Sequence, residues 1–315
     1  MRKSLIFALL TLAATAVASS AADERGFVSI FNGHDLAGWN TGACPDGFRV
    51  EDGCLVTGGG DGGPGLLCTA AAYGNFVFRF EYLLSGVGNS GVMIRADADE
   101  QLAWAKGYEI QLLAPWTPHR DDLHCTGSIY GHVAVTNRPD ETTGVWHEME
   151  IVCDRQLIII AVDGKVTTWA EMNYVKSLRS KSLRGPLGLQ TNHSGPDQWV
   201  KFRNLRLREL DREPDYVVKG FSSTDPRVRK LTHEAALKLD TLLAGQLCAL
   251  LAEEDSVSSV GAKKALFDIV AAASAPAAPA PVRSSVIKTL QAQAAETESE
   301  IVRHHLEWLL GMLEN

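Results

Sequence analysis

Across residues 27–210, apolar and polar positions alternate in short runs broken by glycine, asparagine and aspartate. Successive side chains of a strand point to opposite faces, so such runs predict half-buried strands. The clearest cover residues 76–84, 91–95, 108–113, 147–152, 157–162, 187–191 and 200–207. Asp163-Gly164, set between two of them, predicts a tight hairpin, because glycine accepts the positive φ that such a turn needs. No helical period separates the strands, which predicts a mainly β, antiparallel two-sheet sandwich of jelly-roll size. After Glu213-Pro214 the pattern changes. Alanine and leucine recur at spacings of three and four, predicting helices over residues 225–252, 256–273 and 282–313, with the proline-rich stretch 275–281 as a linker. In the last helix Ile301, His305, Trp308, Leu309 and Met312 read as one buried stripe. Residues 216–315 therefore read as a small all-α domain of antiparallel helices, compatible with one or two HEAT-like units.

The first residues are of another kind. Arg2 and Lys3 precede an apolar run over residues 5–17 and a small-residue stretch through Ala22. This is the pattern of a secretory signal peptide over residues 1–22, which predicts an exported, periplasmic or extracellular protein. No other segment is long and apolar enough to span a bilayer after signal cleavage. The net charge of −8, without a basic stripe, argues against nucleic acid as a partner. Six cysteines permit disulfides, with Cys44–Cys54 a candidate pair around a turn at Glu51-Asp52-Gly53, and show no C-x-x-C zinc spacing.

Chemistry enters through polar residues at alternate positions of apolar strands. Glu109 and Gln111 share a face opposite Tyr108, Ile110 and Leu112; Arg95 stands opposite Val92 and Ile94; Gln190 stands opposite Leu187 and Leu189. A carboxylate, a guanidinium and amides on one sheet face suit a polyhydroxylated ligand, and a nearby Arg95 would keep Glu109 ionised. His193, at the end of a strand, is placed to move protons at a cleft rim. His119 and His124 flank Arg120-Asp121-Asp122 in a long loop. That set reads better as a cleft-lining loop than as a metal site, and no cofactor is called for, although a divalent ion is compatible with it. Trp39, Trp104, Trp116 and Trp146 are compatible with sugar stacking. The glycine-rich run 58–65 lacks the Gly-Lys-Ser/Thr ending of a phosphate loop, and no serine lies in a G-x-S-x-G context.

Phe31-Asn32-Gly33-His34-Asp35-Leu36-Ala37-Gly38-Trp39 resembles the opening of the 3-keto-disaccharide hydrolase domain family, formerly domain of unknown function 1080. The resemblance runs through residues 89–95, Gly107-Tyr108-Glu109-Ile110-Gln111, Thr126-Gly127-Ser128-Ile129-Tyr130-Gly131, Trp146-His147 and residues 188–190 to 202–207. It implies a concanavalin A-like jelly roll whose concave sheet binds carbohydrate. It also implies cleavage of glycosides oxidised at C3, by loss of the C2 proton and departure of the C1 substituent. On the matching motifs, Glu109 or His193 becomes the candidate base or acid and Arg95 the partner of the developing negative charge. Asn89, Gln111, Tyr130 and Gln190, with His124 from the loop, become the substrate contacts. Family members often continue the Glu-x-Gln strand with Leu-Asp, where this chain has Leu113-Ala114. A non-catalytic carbohydrate-binding module, or a scaffold whose helical domain docks a protein partner, are the competing readings.

Overall fold

A computed structural model describes residues 24–42, 44–59, 65–96, 108–117, 120–191, 197–253 and 256–314. The targeting segment read at residues 1–22 lies outside them. The described strands are β1 (Val28–Ser29), β2 (Trp39–Asn40), β3 (Phe48–Glu51), β4 (Cys54–Gly58), β5 (Leu66–Tyr73), β6 (Phe76–Leu84) and β7 (Asn89–Ile94). They continue with β8 (Tyr108–Leu113), β9 (Trp146–Asp154), β10 (Leu157–Val162), β11 (Lys165–Glu171), β12 (Gly185–Gln190) and β13 (Trp199–Glu209). All pairings among them are antiparallel. The larger sheet runs β11-β10-β9-β6-β13-β4-β3, with β1 also on β13, and the smaller runs β2-β5-β12-β7-β8.

Strand β6 shows why the sheets stack. Phe76, Phe78, Phe80, Tyr82 and Leu84 point inward and are fully buried, each worth roughly 1.5–3 kcal/mol in apolar area removed from water. They meet Val92, Ile94, Tyr108, Ile110, Leu112, Leu187 and Leu189 of the smaller sheet in one core. On the other side of β6, Arg79 pairs with Glu150 at 2.6 Å and Glu81 with Arg203 at 2.6 Å. The larger sheet thus has the solvated ionic outer face expected of an antiparallel sheet. The hairpin at Asp163-Gly164 forms with both residues at positive φ, 49° and 72°.

The helical region comprises α1 (Pro214–Lys219), α2 (Pro226–Leu239), α3 (Ala244–Leu251), α4 (Val257–Ser274), α5 (Ala280–Glu296) and α6 (Glu300–Glu314). Two expected helices are interrupted. The first breaks at Asp240, where φ is +49° and a 3-10 turn follows, and the last breaks after Glu296. The expected stripe of α6 is also corrected: Val302, Leu306, Leu309 and Leu313 are buried, while Ile301 and Trp308 are exposed. Both sets satisfy helical spacing, and the branched aliphatic face is the one that packs against α4 and α5. The helices dock on the sandwich where β9 turns into β10. Tyr216 donates to Asp154 at 2.7 Å, Arg155 donates to the Tyr216 carbonyl at 3.0 Å, and Val228 joins the sandwich core. Among the described residues no helix is long and apolar enough to cross a membrane. Cys54 is a buried free thiol, so the expected Cys44–Cys54 pair is not made.

His147, on β9, ties the β10–β11 turn to the preceding loop. Its Nδ1 lies 2.8 Å from Asp163 Oδ2 and its Nε2 2.9 Å from the Thr142 carbonyl. Both partners are acceptors, so both contacts are satisfied only when both ring nitrogens carry hydrogen, which favours the imidazolium. Burial opposes that charge, but the bonds to Asp163 and Thr142 outweigh it and raise the pKa above 6.5. The raised value means that this contribution is complete below about pH 6.5 and fades as pH climbs through the folded-state pKa. His147→Gln should cost about 1–3 kcal/mol at pH 6 and distinctly less at pH 9, measured by urea unfolding at both values. An equal loss at both pH values would show that the ring is not held protonated.

Candidate active site

The outer face of the smaller sheet is unlike that of the larger. Every residue of β8 is buried, including those that alternate away from the core. Strands β7 and β8 pair Met93 with Glu109, Gly91 with Gln111 and Asn89 with Leu113, and β12 sets Gly188 beside Met93. Opposed residues of an antiparallel pair share a face. Glu109, Gln111 and Asn89 therefore project together, and Gln190, two residues beyond Gly188, projects beside them.

Gly91 is what allows these groups to meet. A Cβ there would stand 2.7 Å from Glu109 Cγ and closer still to Oε1, so any side chain would displace the carboxyl. With glycine present, Glu109 lies across β7 and accepts a hydrogen bond from the Gln190 amide on the far strand. The Gln111 amide is 3.0 Å from that of Asn89. Turned so that its nitrogen faces oxygen, it donates to Glu109 Oε1 and to the Ser90 carbonyl, both at 3.2 Å. Glu109 is 6% exposed and forms no ion pair among the described residues. Burial raises its pKa from 4.5 to about 7, against a smaller opposing effect of the Gln190 bond.

The expected partnership with Arg95 does not form. Strand β7 ends at Ile94, and Arg95 takes φ +51°, which breaks the alternation and sends the side chain inward. It is fully buried, donating from Nε and Nη2 to the Gly74 carbonyl at 2.9 and 2.7 Å and from Nη1 to Met172 Sδ at 3.5 Å. Arg95 is a structural cation at the sandwich end, and Glu109 is poised by burial rather than held ionised by a neighbour.

A segment after β8 completes the wall. Gly127 donates to the Gln111 carbonyl at 2.9 Å, Gln111 to the Ser128 carbonyl at 3.1 Å, and Tyr130 to the Glu109 carbonyl at 2.9 Å. Ile129 turns into the core, so Ser128 and Tyr130 face the Glu109 side. Ser128 and Gly91 are the residues that alternation alone did not mark, since one follows a turn and the other acts by having no side chain. Ser128 Oγ and Gln190 Oε1 are buried and find no hydrogen-bond partner among the described residues. Buried polar atoms are normally satisfied, which marks both as open hydrogen-bonding positions among the described residues. At the rim, His124 Nδ1 lies 2.7 Å from Asp121 Oδ1, and its ring meets Tyr130 edge-on at 4.8 Å. Burial, and then the charge of Glu109, raise the Tyr130 phenol pKa.

His193, His119 and Trp104 lie outside the described residues. Trp39 is in the core, Trp146 lies under Arg203 on the larger sheet, and Trp116 is exposed, so neither Trp39 nor Trp146 serves this face as a sugar platform. Among the described residues no three of His, Cys, Asp and Glu converge as a metal set. Ala114 stands just past β8, fully buried, its N–H on the Gly88 carbonyl at 2.8 Å. The thiols of Cys125 and Cys153 are pushed up to about 11 by burial and stay protonated at neutral pH.

A family model described as the 3-keto-alpha-glucoside-1,2-lyase-like domain matches residues 26–208, which span the whole sandwich and every residue of this site. The chain belongs to that family. A 3-keto-disaccharide hydrolase of Bacteroides thetaiotaomicron is 22% identical over 236 residues, covering 60% of this chain and 80% of the relative. Two crystal structures of candidate glycosyl hydrolases from Parabacteroides distasonis share the fold, each with a TM-score of 0.51. They are 22% and 21% identical, cover 58% of this chain, and are themselves covered over 98% and 94%. The helical region lies beyond the family match.

Two outcomes test this geometry. The raised Glu109 pKa means that the folded state holds the proton more tightly, so its contribution is complete below about 4.5 and disappears as pH rises through about 7. Glu109→Gln should therefore gain stability relative to the parent between pH 4.5 and 8, by on the order of 3 kcal/mol; a pH-independent difference would refute the shift. Gly91→Ala should displace the carboxyl and return its titration, followed by infrared carboxyl bands, toward the ordinary range near 4.5.

Proposed function

We propose that this chain is an exported enzyme that cleaves 3-keto-glycosides, with Glu109 as the base that removes the C2 hydrogen. The observation that carries the reading is a carboxyl whose pKa burial pushes up to about 7, with no ion pair among the described residues, framed by amides and by two hydrogen-bonding atoms that have no partner among them. A general base works best with a pKa near the working pH, and a dry site strengthens it further. The family match and the similarity to a 3-keto-disaccharide hydrolase support this substrate class.

In this reading the C3 ketone acidifies the C2 hydrogen. Glu109 takes that proton, and the C–H electron pair moves onto the C3 oxygen as an enolate. The pair then returns to form the C1–C2 double bond as the C3 carbonyl re-forms, and the C1–O bond breaks toward the leaving oxygen. That oxygen takes a proton at the rim, where His124 is held by Asp121 beside Tyr130. His193, the rim histidine marked by the sequence, is the other proton donor to test. Addition of water across C1–C2 completes a net hydrolysis, while release before it gives a lyase product. Ser128, Gln190, Gln111 and Asn89 hold the ring hydroxyls.

Glu109→Gln should lower kcat on a 3-keto-glucoside by about 10²–10⁴-fold with little change in affinity. The parent kcat/KM should rise with pH through about 7, as the base loses its proton. Full activity in Glu109→Gln would make Glu109 a binding contact only. Binding without cleavage by the parent would make the domain a carbohydrate-binding module.

A further inference from the structure

The helical region carries a built surface that catalysis does not use. A cleft of about 600 Å³ runs between α2 and α4. Its floor is apolar, made by the ring of Phe221 with Val257 and Val260. The two valines are 56% and 63% exposed, one turn apart on α4, where they contribute nothing to the helical core. Gly261 lets α4 pack directly on the Phe221 ring, since a Cβ there would stand 2.5 Å from Phe221 Cδ1. The same face of α4 continues to Phe267, which stacks on exposed Trp308 of α6 at 6.1 Å and 17°. A contiguous apolar patch with a polar rim marks an interaction site rather than an ordinary surface.

The rim is basic in a chain whose net charge is −8. Arg229, Lys230 and Lys264 line the cleft with Glu234 as the opposing carboxylate. Asp268 is engaged by His233 at 2.8 Å and by Lys264 at 2.6 Å. Arg229 donates to the Ser223 carbonyl at 2.7 Å and forms no ion pair among the described residues. Lys230 is exposed and forms no ion pair among the described residues. Apolar floor and cationic rim together call for an occupant with the reverse pattern.

We infer that this cleft docks an acidic amphipathic helix of a partner protein, its apolar stripe on the exposed Val257 and Val260 above buried Phe221 and its carboxylates against Lys230 and Arg229. From Val257 to Lys264 the cleft spans about 10 Å, or two helical turns, and the Phe267–Trp308 stack extends the contact by further turns. A trough between two helices fits a convex rod, whereas a bilayer surface would touch only its rim. The inference is independent of the chemistry at Glu109.

The test uses the whole chain and a fluorescein-labelled model helix of about 18 residues, with leucine on one face and glutamate on both flanks. Its counterpart carries lysine in place of glutamate. The glutamate peptide should bind with a Kd on the order of 10 μM, and the lysine peptide at least about 10-fold more weakly. Val260→Glu and Lys230→Glu, both at exposed positions remote from the sandwich site, should each weaken the glutamate peptide about 10-fold while turnover is unchanged. Equal binding of the two peptides, or no effect of Val260→Glu, overturns the inference. So does self-association by analytical ultracentrifugation, or binding to anionic vesicles, that Val260→Glu abolishes, since either gives the cleft a different occupant.

Discussion

Everything distinctive about this sandwich depends on one vacancy: the missing side chain at Gly91. Strand pairing places Glu109 two strands away from Gln190, with β7 between them. Only a glycine at the crossing point lets the carboxyl lie down across β7 and meet the amide. That posture takes the carboxyl out of water, and loss of hydration rather than a charged neighbour sets its pKa near 7.

The two sheets show how one architecture supports both stability and chemistry. Both inner faces are aliphatic and aromatic and close on a single core. The outer face of the larger sheet is satisfied by cross-strand ion pairs such as Arg79–Glu150 and Glu81–Arg203. The outer face of the smaller sheet carries buried polar groups, and Ser128 Oγ and Gln190 Oε1 have no hydrogen-bond partner among the described residues. Such a surface costs stability unless something binds there. Arg95 contributes from the other side of the sheet: by capping the Gly74 carbonyl inside the sandwich, it fixes the end of β7 on which Met93 and Gly91 are carried.

Much of this was legible in the chain because alternation is a local property. Residues 76–84, 108–113 and 157–162 form strands with the anticipated boundaries, and Glu109, Gln111 and Gln190 share a face as their spacing requires. Alternation failed where the backbone departs from it. Arg95 sits one residue past a strand end at positive φ, which no side-chain pattern announces. Ser128 lies beyond the turn at Gly127, so its partnership with Gln111 is a tertiary fact. Helical spacing was ambiguous in α6, where two apolar stripes coexist and long-range packing chose the aliphatic one. The surplus stripe, with Trp308, is the part that remains exposed, beside the cleft of α2 and α4.

If Glu109 removes a C2 proton, the hydrogen at C2 must leave the sugar during turnover. Turnover of a 3-keto-glucoside in D2O, followed by mass spectrometry with spontaneous exchange subtracted, reads that position. Proton removal by Glu109 gives a released sugar that carries deuterium at C2, or one released unsaturated between C1 and C2, and neither product from Glu109→Gln. A released sugar that keeps its original C2 hydrogen would contradict it, because the C1–O bond would then have broken without any proton leaving C2.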